Sequence, residues 1–301
     1  MSPVVDWVRA SRLPSQNYIF LPLLLGQAIF VRQGGTLSWS VLALVHLFGL
    51  FDQLYIVYAN DCADQETDRL NMTPTLFSGG SRVLVEGRIR PRRLARAAGV
   101  AAALCVLSSL ALGALHHRWL APPLTGLALL LLWFYSFGPA RLSYRGGGEL
   151  LQMTGVGGVL PLYGYYAQSG LVAGFPWALL LVLLPAHLAC ALATTLPDEP
   201  SDRGSSKRTA AVLLGPAPVK GAIVALDLAA LAALARVGGF ARRRLPWLLA
   251  LPGAATLAQL PLLRSRPGDL RLSLLVGLAV LVTLSLLGGM TAAMLWSGGA
   301  A

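Results

Sequence analysis

Asn60-Asp61-Cys62-Ala63-Asp64-Gln65-Glu66-Thr67-Asp68 closes a long apolar run, Val41 to Ala59, and packs four acidic side chains into eight positions. At helical spacing Asn60, Asp64 and Asp68 share one face, and Asp61 lies on the same flank. Like charges this close repel one another and weaken a helix. A divalent cation reverses the sign of that interaction, and hard cations such as Mg²⁺ take carboxylate oxygens together with substrate phosphates. A smaller copy of the pattern follows downstream. Asp198-Glu199-Pro200-Ser201-Asp202 again sets two aspartates at i and i+4 after an apolar run, with Lys207, Arg208 and Thr209 behind them. Seven of the chain's 13 acidic residues lie in these two stretches, a concentration that an ordinary solvated surface does not produce.

The surrounding chain is built for lipid. Of 301 residues, 55% are hydrophobic and only 12% charged, and the mean hydropathy is +0.65. Soluble domains carry about 25% charged residues. The expected fold is therefore an all-α membrane protein, one domain over 1–301, with motif loops at 60–91 and 197–208. At about 20 apolar residues per crossing, nine spans are expected, near 16–32, 36–59, 92–115, 119–137, 148–168, 174–196, 209–235, 246–263 and 270–296. Pro139, Pro176, Pro197 and Pro246 fall at expected helix ends, where proline is tolerated. Gly155, Gly157 and Gly158 mark a close helix approach.

The net charge of +11 is spread over the loops, with no basic stripe interleaved with aromatics, so membrane topology accounts for it better than nucleic acid. A cytoplasmic N-terminus and an external C-terminus put 17 Lys and Arg inside against 6 outside, with Lys220 within a span. The arginine trio at 242–244 is the exception. This orientation places both acidic motifs on the cytoplasmic side of a multi-pass protein of a plasma or inner membrane. Cys62, Cys105 and Cys190 have no paired spacing and suggest neither a disulfide nor a zinc site.

Two acidic clusters on one face, each followed by basic residues, suit a cage in which Mg²⁺ bridges carboxylates to a diphosphate. Asn60, Asp61, Asp64, Asp68, Asp198 and Asp202 are the candidate ligands and catalytic groups. Arg82, in Ser78-Gly79-Gly80-Ser81-Arg82, and Lys207, Arg208 and Arg141 are the candidate diphosphate cations. Polar residues inside spans are functional candidates by default. Asp52, two turns before Asn60, and Asn17 and His187 are expected to line a chamber with Tyr135 and Tyr144, whose π faces can steady a carbocation.

These residues resemble the UbiA superfamily of intramembrane prenyltransferases: Asn-Asp-x-x-Asp-x-x-x-Asp at 60–68, then Asp-x-x-x-Asp at 198–202 with Lys207-Arg208-Thr209. Gly79-Gly80-Ser81-Arg82, Phe134-Tyr135-Ser136, Tyr144-Arg145-Gly146 and Tyr165-Tyr166-Ala167-Gln168-Ser169-Gly170 look most like the menaquinone branch, the 1,4-dihydroxy-2-naphthoate prenyltransferases. The resemblance implies nine spans around a chamber open to lipid, with Mg²⁺ and an isoprenyl diphosphate held by the aspartates under a cytoplasmic cap. It also implies transfer of the isoprenyl group to a small aromatic quinone precursor. This chain departs from the branch at Thr194-Thr195-Leu196-Pro197-Asp198 and at Ser206-Lys207-Arg208-Thr209, which leaves the diphosphate site intact and the acceptor open. A terpene cyclase of the same superfamily, and more remotely an ion or solute transporter, are the alternatives.

Overall fold

The computed structural model describes residues 2–75, 77–237, 240 and 243–296. Among these the chain is helical, with one isolated bridge between Thr75 and Ser78. A short N-terminal helix, α1 (Pro3–Ala10), precedes α2 (Asn17–Arg32) and α3 (Trp39–Ala63), and a brief α4 (Gln65–Leu70) carries the end of the first motif. Next come α5 (Pro91–His116), α6 (Ala121–Ser136) and α7 (Leu142–Arg145). A single rod then runs through α8 (Gly148–Thr154), a π turn (Gly155–Val159) and α9 (Leu160–Ser169). The second half holds α10 (Leu180–Thr195), α11 (Glu199–Gly204), α12 (Ala210–Leu214), α13 (Pro216–Val237), α14 (Leu245–Gln259) and α15 (Leu270–Trp296).

The long helices form a ring in chain order. α2 packs on α3, α3 on α5, α5 on α6 and α6 on α8, while α10 joins α8 to α13; α14 and α15 follow, and α15 returns to α2. Closing the ring this way brings the ends of α3 and α10 together across a central space, because α4 meets α11. Large apolar side chains face outward on every side: Trp39, Leu107, Leu181, Leu257 and Leu274 are all exposed. Helices that are apolar all round belong in lipid.

Each of the nine apolar runs contains helix, but among the described residues six helices are long and apolar enough to cross a membrane. The other three runs fall short for visible reasons. α2 and α6 have 16 residues each. The run at 148–168 is interrupted by its π turn. The span expected at 209–235 starts late: Gly215, at φ +86°, ends α12, and α13 begins at Pro216. Arg242 of the arginine trio lies outside the described residues; Arg244 donates from Nη1 to the carbonyl of Ala293 at 3.0 Å. The three cysteines are free.

The tightest backbone approach is between α2 and α9, not at the glycines of the π turn. A Cβ on Gly164 would strike the backbone of Leu23, and one on Gly26 would strike the backbone of Pro161 and Tyr165. Neither neighbour can move without shifting a helix. Gly164→Ala is therefore expected to lower stability by about 1–3 kcal/mol, the usual range for overpacking, read as a fall in thermal unfolding temperature in detergent. An unchanged unfolding temperature would show that the two helices are not held at this separation.

Candidate functional site

Both acidic motifs sit where a long helix breaks. α3 ends at Ala63, and Asp64 takes φ −99° and ψ 10° before α4 resumes. The i to i−4 hydrogen bonds nevertheless continue across the break, from Asp64 N to Asn60 O at 2.9 Å and from Asp68 N to Asp64 O at 2.8 Å. Asn60, Asp64 and Asp68 therefore keep one face, and all three line a cavity of about 1010 Å³. The second motif repeats this construction. α10 stops at Thr195, α11 starts at Glu199, and Asp202 N donates to Asp198 O at 2.8 Å. Asp198 and Asp202 line the same cavity.

Lys207 joins the two motifs. Its buried ammonium donates to Asp64 Oδ2 at 2.8 Å and lies 4.0 Å from Asp202 Oδ1. Burial pulls the Lys207 pKa down, but Asp64 above all, with Tyr135 and Asp202, outweighs it and holds the group well above its usual value. Asn60 Nδ2 and the Tyr144 hydroxyl also donate to Asp64, each at 3.0 Å. Asp198 accepts from Asn71 Nδ2 at 2.6 Å, a second link between the halves.

The remaining carboxylates are under-compensated. Burial, then the charge of Asp64, pushes Asp68 up to about 7 despite Arg12 and Lys207. Burial and Asp202 raise Asp198 to about 7, and burial raises Asp202 to about 6 although Lys207 opposes it. Asp202 is almost fully buried, and its Oδ1 has no hydrogen-bond partner. Hard oxygen donors that lack positive charge suit a hard cation. Among the described residues, no three acid, histidine or cysteine side chains close a metal shell on their own. That pattern fits Mg²⁺, which usually takes one or two carboxylates and fills its shell with water and substrate phosphate.

The glycine loop supports the rim. Gly79, Gly80 and Arg82 all have positive φ. A Cβ on Gly80 would collide with the Asp68 carboxylate and crowd the Arg12 guanidinium, so the backbone there must be bare. Arg82 lines the cavity, and its Nη1 donates to the carbonyls of Asp68 and Asn71, each at 3.2 Å.

Several expected residues lie elsewhere. Asp61 does not line the cavity: its carboxylate is taken by Arg12 and the Ser81 hydroxyl. Arg208 is exposed and outside the lining. Arg141 is also outside it, with its guanidinium 3.6 Å above the Tyr144 ring. Tyr144 is outside the lining too, but its hydroxyl donates to Asp64 at 3.0 Å and meets the Thr67 hydroxyl at 3.1 Å, and its ring lies 5.6 Å from the Lys207 ammonium. His187 is buried in the wall, where Nδ1 meets Leu183 O at 2.7 Å and the ring packs edge-on to Tyr18. Asp52, Asn17 and Tyr135 do line the cavity.

Arg12 and Asn71 are the residues the motif reading missed. Arg12 follows α1, has φ +43°, and lines the cavity while paired to Asp61. α1 is tied down by Arg9, which donates to both oxygens of Glu86 at 2.7 and 2.6 Å. In sequence, Arg12 is one more loop cation; only the ion pairs beneath α1 place it at the acids.

The site thus defines an all-helical membrane protein with a carboxylate-rimmed chamber. The UbiA prenyltransferase family model matches residues 19–275, and the chain belongs to that family. Solved structures of similar fold include a UbiA homologue from Archaeoglobus fulgidus bound to DMAPP and Mg²⁺ (TM-score 0.68, 17% identity, covering 92% of this chain and 99% of that one). The apo UbiA homologue from Aeropyrum pernix K1 gives 0.66 and 19%, covering 91% and 98%. A digeranylgeranylglyceryl phosphate synthase gives 0.65 and 16%, covering 98% and 100%. No curated protein matches the chain.

The raised carboxyls set a pH dependence. A carboxyl that holds its proton more tightly folded than unfolded makes stability fall as pH rises from the ordinary value to the folded one. Without divalent cation, the unfolding temperature is expected to drop between about pH 4 and pH 7 through Asp68, Asp198 and Asp202. Added Mg²⁺ should restore more stability at pH 8 than at pH 5.5. Equal Mg²⁺ stabilisation at both pH values would contradict this electrostatic reading.

Proposed function

We propose that this prenyltransferase moves an isoprenyl group from a prenyl diphosphate to an aromatic quinone precursor inside the membrane, with Mg²⁺ at the rim. The observation that carries the reading is the meeting of two sequence-distant carboxylate motifs, with Lys207 between them, at the mouth of a chamber whose deeper wall is largely apolar. Asn60, Asp64, Asp68, Asp198 and Asp202 would hold the cation. Once bound, Mg²⁺ supplies charge neutralisation for the departing diphosphate. The A. fulgidus homologue binds DMAPP or GPP with Mg²⁺, which supports this choice of substrate class.

The chain's own groups then do the following. Lys207, Arg82 and Arg12 face the remaining diphosphate oxygens and orient the leaving group. The allylic carbon–oxygen bond breaks with its electron pair on diphosphate. The isoprenyl chain lies along Ile56, Leu131, Leu132 and Val156, which exclude the water that would hydrolyse an allylic cation. The Tyr135 ring offers a π face to that positive charge. A carbon of the electron-rich acceptor forms the new bond, and the ring proton then passes to the released diphosphate, which restores the aromatic ring.

We further infer a nine-crossing topology in which α2, α6 and the α8–α9 rod complete the ring beside the six longer helices. The excess of arginine at the acidic end supports a cytoplasmic position for that end and for the N-terminus. The expected external C-terminus falls on residues 297–301, which lie outside the described residues. The menaquinone-branch motifs support a quinone-type ring as acceptor.

Purified protein given Mg²⁺, geranyl diphosphate and aromatic acceptors should yield prenylated products of the expected mass. Asp64→Ala and Asp198→Ala should each lower transfer by about 10²–10³-fold, the scale of losing a preorganised electrostatic partner. Arg208→Ala, which alters an exposed side chain, should stay near wild type. Full Mg²⁺-dependent transfer by Asp64→Ala, or cyclised hydrocarbon formed without acceptor, would contradict the reading.

A further inference from the structure

The chamber carries a second polar point, well away from the acidic rim. Asp52 lies on α3, eight residues before Asn60, so it sits about 12 Å deeper at 1.5 Å per residue. Its side chain lines the cavity and is 97% withdrawn from solvent, with a relative exposure of 3%. Its Oδ1 has no hydrogen-bond partner. Gln53, the neighbouring amide, is already engaged, donating from Nε2 to the Ser15 hydroxyl at 2.5 Å. The same lining includes the apolar side chains of Ile19, Ile56, Val156 and Leu160.

Leaving a buried carboxyl oxygen unpartnered costs free energy that a fold tolerates where a ligand completes it. The isoprenyl chain has no polar hydrogen and cannot. The charges in the cavity add a second constraint. Among the described lining residues the cations are Arg9, Arg12, Arg82 and Lys207. Arg12, Arg82 and Lys207 bond to the first motif, to Asp61, to the carbonyl of Asp68 and to Asp64 respectively, and Arg9 pairs with Glu86 beside them. Among the described lining residues, no Lys or Arg side chain is bonded to Asp52.

We propose that Asp52 receives the acceptor through a hydrogen bond donated by an acceptor hydroxyl, and that the chamber selects a neutral, hydroxyl-bearing aromatic ring over an aromatic carboxylate. The inference rests on the transferase reading above and names its acceptor class. It departs from the acid for which the resembled branch is named. The dimensions agree. A reacting ring carbon must come within about 3–3.5 Å of the allylic carbon, which leaves roughly 8 Å to Asp52, the length of one or two fused rings. A carboxylate placed there would meet the Asp52 carboxyl with no cation to offset it.

The test uses the full chain in lipid nanodiscs with Mg²⁺ and geranyl diphosphate. The acceptors are naphthalene-1,4-diol, its dimethyl ether and a hydroxynaphthoic acid. The wild type should prefer the diol, with KM at least about tenfold below that of the ether and of the acid, the scale of one hydrogen bond to a charged group. Asp52→Asn should raise the KM for the diol by about tenfold and lower that for the acid, an opposed pair of shifts that simple loosening of the fold does not produce. Magnesium-dependent binding of geranyl diphosphate should be unchanged in the variant, which reports that it is folded. Transfer that proceeds with the same acceptor KM values in Asp52→Asn overturns the inference and leaves the transferase reading standing. Wild-type preference for the acid overturns it even if the variant does not fold. Absence of transfer to every acceptor overturns both.

Discussion

The contact on which the rest depends is the buried ammonium of Lys207 set between Asp64 and Asp202. The two carboxylates lie 138 residues apart in sequence, as 202 − 64 gives. Each alone would be a helix-end acid at a headgroup surface. Together they gather negative charge at one cavity, and one lysine does not balance it: Asp68, Asp198 and Asp202 are all pushed toward neutrality. Breaking a buried pair by removing one partner costs about 3–5 kcal/mol, so the same contact also fastens the two halves of the ring together. Binding and folding share one electrostatic device here.

Helix breaks make that device possible. Ending α3 at Ala63 and restarting at Gln65 keeps the hydrogen-bond ladder, so Asn60, Asp64 and Asp68 stay on the one face that lines the cavity. α10 and α11 break on the other side without that continuity, and the Asp202 N to Asp198 O bond keeps the two aspartates of the second motif together. Asn71 and Thr67 then tie the short helices across the gap, to Asp198 at 2.6 Å and to Ser205 at 2.9 Å. Arg12 arrives from a third direction, beneath a helix held by Glu86. The rim is thus a cap of short elements anchored by ion pairs, on a ring anchored by apolar packing.

Much of this was legible in the chain itself. Apolar runs of the right length betray membrane helices because the bilayer leaves few other choices for the backbone, and the spacing of Asn60, Asp64 and Asp68 survives a local break in the helix. What pattern could not show was direction. Asp61 and Asp64 are three residues apart in one motif, yet Asp61 turns to Ser81 and Arg12 while Asp64 faces the cavity. Lys207 and Arg208 are adjacent, and only Lys207 is buried. His187 stands three turns above Asp198 in sequence, but Pro197 and the break after Thr195 spoil that register. Arg12 is invisible to motif reading because its role comes from α1 packing under a distant loop.

The central claim is that both carboxylate motifs serve one diphosphate. Soaking the protein with Mn²⁺ and a slowly reacting thiolo analogue of a prenyl diphosphate, then locating the metal by anomalous scattering, tests it most directly. The account predicts metal density at the cavity mouth in contact with oxygens from both 60–68 and 198–202, with the diphosphate between them. Metal held by one motif alone, with the analogue bound elsewhere, would contradict it.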